Sequence, residues 1–69
     1  MNLLENYIIK IHSVTDVTKQ FEESNGYPPN EPLYKVDLTS DCYGQIERKT
    51  KYFFQTDWNE IKERNYYLA

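Results

Sequence analysis

The sequence predicts a small α+β domain. A three-stranded, largely antiparallel sheet carries two short helices on one face, in the order β-α-β-β-α, with an apolar C-terminal tail. Three observations lead there. Leu33 to Gln55 reads as one hairpin: LYKVDLT, a turn at SDCYG, then QIERKTKYFFQ. An earlier segment, Leu4 to His12, alternates apolar and polar residues with the period of two that marks a half-buried strand. Two further segments carry apolar residues at helical spacing, Val17 with Phe21 and Trp58 with Ile61, each between cap-forming residues.

Taken in order, the first strand sets Tyr7, Ile9 and Ile11 against Ile8, Lys10 and His12, which leaves Ile8 on the side expected to meet solvent. Ser13-Val14-Thr15-Asp16 is expected to open the first helix, with Ser13 or Thr15 as N-cap and an acidic residue complementing the helix dipole. Asn25-Gly26 ends it, since both residues tolerate a left-handed conformation. A helix this short is unstable alone and must dock on the sheet. Tyr27-Pro28-Pro29-Asn30-Glu31-Pro32 is a stiff connector, because its prolines exclude helix and supply no amide donors.

In the hairpin, Tyr34, Val36 and Leu38 face inward and Lys35, Asp37 and Thr39 outward. Asp41-Cys42-Tyr43-Gly44 forms the turn, with Asp41 accepting from backbone amides ahead of it. On the returning strand Ile46, Thr50, Tyr52 and Phe54 are expected inside and Glu47, Lys49, Lys51 and Phe53 outside, with Arg48 falling among the inward positions, either near the strand's open end or with its stem along the core and its head in water. Thr56-Asp57 caps a second helix that runs through Arg64, with Asn65 as its C-terminal cap. Tyr66-Tyr67-Leu68-Ala69 is too apolar for a loose tail and either packs back on the core or adds a short edge strand.

Residues 1–69 make one domain, and a chain of 69 residues buries only about 60% of the surface its unfolded form exposes. Aromatics supply the core: seven Tyr, three Phe and one Trp offset the shortage of aliphatic residues. One cysteine excludes an intramolecular disulfide, and an unpaired thiol fits a reducing cytoplasm. No leader pattern opens the chain and no run approaches a membrane span, so a soluble cytoplasmic protein is expected. The net charge of −3 weighs against non-specific polyanion binding, although the charge is uneven. Residues 1–47 hold eight acids and three bases, whereas 48–69 hold five bases and three acids.

No constellation of residues demands a particular chemistry. His12 and Cys42 are the only pair from which a Cys–His nucleophile could be assembled, one at a strand end and the other in a turn, with nothing to orient the imidazole. Glu22-Glu23 and Asp37 with Asp41 are the nearest carboxylate pairs, and adjacent acids on a short helix form a solvated face. Gly26 and Gly44 are the only glycines, too few for a phosphate-cradling loop, and no metal-ligand spacing occurs. No catalytic residue, cofactor or metal is expected.

The residues that suggest binding are Tyr43 at the hairpin tip, Phe53 on the outer face, and Arg48, Lys49 and Lys51. Tyr-rich patches offer large contact area with few rotors to order, which suits a protein interface. The alternative is a single-stranded nucleic-acid binder in which strand 48–54 stacks Phe53 on bases and sets its cations on phosphates. An exposed edge strand also offers a second copy a place to pair, a route to a homodimer.

The strand-turn-strand around Asp41-Cys42-Tyr43-Gly44, the aromatic run into Thr56-Asp57-Trp58 and the ending Asn65-Tyr66-Tyr67-Leu68-Ala69 resemble small accessory proteins encoded by Firmicutes phages and prophages. The resemblance implies a non-enzymatic role: binding a host protein, including one of host defence. It implies no catalytic residues.

Overall fold

A computed structural model describes residues 3–69, and it is α+β with two helices and four strands rather than three. The elements are β1 (Glu5–Asp16), α1 (Thr18–Asn25), β2 (Leu33–Cys42), β3 (Gln45–Phe54), α2 (Gln55–Arg64) and β4 (Tyr66–Leu68). The sheet order is β3-β2-β1-β4 and every pairing is antiparallel. The fourth strand is the apolar tail, which pairs Tyr66 to Leu68 with Tyr7 to Glu5. Among the described residues no helix is long and apolar enough to cross a membrane.

β1 runs past the expected helix start, and Ser13 to Asp16 stay in the sheet opposite Asp37 to Tyr34. Val14 and Thr15 are β-branched and favour the strand, so the ladder with β2 prevails over local capping. Helix α1 therefore begins at Thr18, whose backbone N–H and Oγ1 both donate to Asp16 Oδ1. These bonds hold the Asp16 carboxyl below the usual aspartate range. Gly26 closes α1 in a left-handed conformation, as expected of the Asn25-Gly26 pair.

The expected alternation of β1 is overturned. Register shifts between Ile8 and Lys10 and between Ile11 and Ser13 insert an extra residue twice, and each bulge resets which side chain faces which way. Ile8, opposite Ser40, is buried on the core side, and the bulges bring Ile11 and Val14, opposite Leu38 and Val36, to that same side, where they stay partly exposed, while Tyr7 and Ile9 are exposed.

The hairpin turn sits one residue further along than the sequence suggests. Cys42 pairs with Gln45, leaving Tyr43 and Gly44 as a two-residue loop, both at positive φ (51° and 86°), the signature of a type I′ turn. Asp41 Oδ1 accepts from the Gly44 amide at 2.8 Å, the bond expected of that aspartate. Tyr43 is an unfavoured residue at such a φ, at a cost of roughly 1–2 kcal/mol. Tyr43→Asn should therefore stabilise the fold by about 1 kcal/mol and raise Tm by several degrees in a thermal melt. An unchanged or lower Tm would mean that the tyrosine ring contributes to folding.

This turn also settles β3. Residues directly opposite one another share a face, and Tyr34, Val36 and Leu38 stand opposite Phe53, Lys51 and Lys49. Phe53 is therefore on the core side, whereas Tyr52 and Phe54, expected inside, are exposed. The core is Ile8, Val36, Leu38, Trp58, Ile61 and Tyr67, with Tyr34 and Phe53 packed against it.

Helix α2 closes this face. Trp58 stacks on Phe53 at 5.8 Å and 11°, and Tyr67 tilts against the same ring at 5.6 Å. Glu31, in the proline-rich connector, accepts the Thr56 amide at 2.7 Å, and Pro32 O accepts from Gln55 N–H, so the connector caps the helix start. Asp57 lies early, Lys62 and Arg64 late, and Asn65 ends the helix at φ 70°, all as expected.

The two helices do not share a face. Gln20, Phe21 and Ser24 of α1 bound a concave surface with Ser13, Thr15, Lys35, Asp37, Thr50 and Tyr52, on the side of the sheet away from α2. α1 has no fully buried residue and leans over only one end of that side. The result is extended: the radius of gyration is 12.9 Å, against about 11 Å for a compact chain of this length.

Candidate functional site

One face of the sheet, the one opposite α2, is left largely uncovered. β3 contributes Ile46, Arg48, Thr50, Tyr52 and Phe54 to it, β2 contributes Asp37, Thr39 and Asp41, and β1 contributes Tyr7, His12 and Ser13. Ile46 is 63% exposed and Tyr52 59% exposed, although both are large and apolar.

The face has an apolar region at each end and a polar middle. At the end near the hairpin loop, Tyr7 lies 5.3 Å from Tyr66, and the Arg64 guanidinium sits 5.0 Å from the centre of the Tyr66 ring. The Tyr7 hydroxyl donates to the Glu5 carboxylate, which raises its pKa above the usual tyrosine value. Tyr43 projects beyond this end, 82% exposed. At the α1 end, Phe21 meets Tyr27 edge to face at 5.9 Å and, with Tyr52, borders a groove of about 650 Å³.

In the middle, Arg48 donates two bonds to Asp37, at 3.1 and 2.8 Å. His12 Nε2 lies 2.7 Å from Thr39 Oγ1. The Arg48 hydrogen bonds hold the Asp37 carboxyl below the usual aspartate range, and the same pair raises Arg48. By linkage, a carboxyl with a depressed folded-state pKa contributes stability above its unfolded value, near pH 4, and loses it as pH falls through the folded value. Asp37→Asn should therefore lower the urea midpoint at pH 7 and flatten its decline below about pH 4, leaving the part that Asp16 supplies. Parallel curves for the two proteins would show that the pair contributes nothing.

The candidate residues fall in three places. Tyr43 is exposed at the tip, as expected. Arg48 is on the uncovered face, bound to Asp37. Lys49 and Lys51 are on the α2 side, Lys49 Nζ 3.3 Å from Glu47 and Lys51 Nζ 5.6 Å from the centre of the Tyr67 ring. Phe53, expected as an outward anchor, is half-buried against Trp58 and Tyr67. The basic strand thus presents no common row of cations and a free aromatic, the arrangement that base stacking with phosphate contact needs.

Cys42 and His12 stand on opposite faces. Cys42 lines a concavity with Ser40, Glu47 and Lys49, whereas His12 bonds Thr39 on the other side. Asp41 is occupied by the turn and Asp37 by Arg48, and Glu22 and Glu23 are exposed on α1. Among the described residues no group of three or more His, Cys, Asp or Glu could hold a metal ion.

Ile46, Tyr52 and Phe54 are candidate binding residues that hydrophobic alternation alone assigns to the core. A usable signal exists: a two-residue turn makes inward residues on one strand oppose residues of the other numerical parity, so an inward Val36 implies an inward Lys51. Compared with known protein families, with curated proteins and with solved structures, the chain matches none.

Proposed function

We propose that the chain is a non-enzymatic protein-binding accessory factor, phage- or prophage-encoded, that acts on a host protein, with host defence as the expected setting. The observation that carries this reading is the uncovered sheet face, on which Ile46, Tyr52, Phe54 and Tyr7 stay exposed around a polar centre. Exposed apolar patches bordered by polar groups mark an interaction site, and two such patches flanking satisfied polar groups suit a protein partner. Tyr43 supports it from the tip, because a bulky residue kept in a left-handed conformation is a local cost retained at an exposed position.

The test is capture of partners from host lysate with tagged protein after nuclease treatment, comparing wild type with Ile46→Ser/Tyr52→Ser. A protein held by wild type and lost from the variant, with far-UV circular dichroism unchanged, is the expected result. Recovery that depends on nucleic acid, or partners indifferent to the substitutions, would sink the reading.

A further inference from the structure

β3 is an edge of the sheet, and among the described residues nothing pairs along its outer side. Ten residues, Gln45 to Phe54, leave an unpaired row of backbone groups there, the template for strand addition. Its charge is opposite to that of the molecule. β3 carries Arg48, Lys49 and Lys51 against Glu47, so a chain of net −3 concentrates cations on one border.

That pattern discriminates among occupants. A second copy pairing antiparallel about a two-fold axis through Arg48 or Lys49 or Lys51 sets that residue opposite itself, and an axis through Thr50 sets Lys49 opposite Lys51 twice. Like charges directly opposite are destabilising. The axes through Arg48 and through Lys49 recover part of the loss, by setting Glu47 opposite Lys49 and opposite Lys51 respectively, and those through Thr50 and Lys51 recover none. An acidic strand meets attraction at all three cations instead.

We propose that the outer edge of β3 is a strand-addition site for an extended acidic segment of a partner protein, a reading that rests on the protein-binding role above. In antiparallel register the segment carries acids opposite Lys51, Lys49 and Arg48 and apolar residues opposite Tyr52 and Ile46. The added strand would widen the uncovered face, so edge and face serve one partner.

The test uses the full chain and a synthetic fluorescent peptide of that design, followed by anisotropy and by amide chemical shifts. Three controls accompany it: a peptide with Lys in place of each Glu, one N-methylated at alternate residues, and the protein variant Lys49→Glu/Lys51→Glu checked for unchanged amide dispersion outside β3. The expected result is binding that weakens with salt, shifts concentrated in β3, loss on N-methylation, and at least about tenfold weaker binding for the variant. No binding, equal binding of the Lys peptide or indifference to N-methylation would overturn the proposal, as would a concentration-dependent dimer with β3 amides protected from exchange. Should the peptide fail while the Ile46/Tyr52-dependent capture persists, the edge site falls and the protein-binding role stands.

Discussion

Trp58→Ala should abolish cooperative unfolding. Trp58 is 4% exposed, stacks on Phe53, and is the main side chain through which α2 covers the sheet. Truncating a buried tryptophan costs roughly 3–5 kcal/mol. A domain of 69 residues has roughly 3–10 kcal/mol in all, so the loss is comparable to the whole. Far-UV circular dichroism during urea titration should show a broad, weak transition and amide resonances should lose dispersion, whereas Trp58→Phe keeps both. A sharp transition near the wild-type midpoint would mean that α2 is not what closes the core.

The second large effect is expected in the tail. Tyr67 is 2% exposed, lies against Phe53, and has its hydroxyl 3.4 Å from Ser40 Oγ, which is itself buried. Tyr67→Ala should cost about 3 kcal/mol, from lost ring burial and an orphaned Ser40 hydroxyl. Tyr66, on the other face against Tyr7, is only half-buried, and Tyr66→Ala should cost about 1 kcal/mol or less. Urea midpoints for the two variants measure the difference. Equal losses would contradict the placement of β4 with one tyrosine in the core and one outside.

Much of the architecture is legible in the residues. Alternation in LYKVDLT, the Asn25-Gly26 and Asn65 helix ends, and the Trp58–Ile61 stripe all describe elements that form. The faces are harder. In β1 two bulges displace the alternation, and a bulge leaves little trace in a short sequence beyond the three-residue spacing of Ile8, Ile11 and Val14. In β3 hydrophobicity points to Tyr52 and Phe54, but pairing parity places Lys49, Lys51 and Phe53 opposite the inward residues of β2. The stems of Lys49 and Lys51 can lie along apolar surface with their charges reaching out, so the core tolerates them. The candidate site was hidden for the same reason: the aromatics that the core did not take are those that the uncovered face presents.

The central claim is that this face, and not the α2 side, meets a protein. A photo-crosslinking residue placed at Ile46, at Tyr52 or, as comparison, at Glu60 on the solvent side of α2 tests it most directly, with each variant irradiated in nuclease-treated host lysate. One discrete protein adduct is expected from positions 46 and 52 and none from position 60. An adduct from position 60 alone, or none from positions 46 and 52, would contradict it.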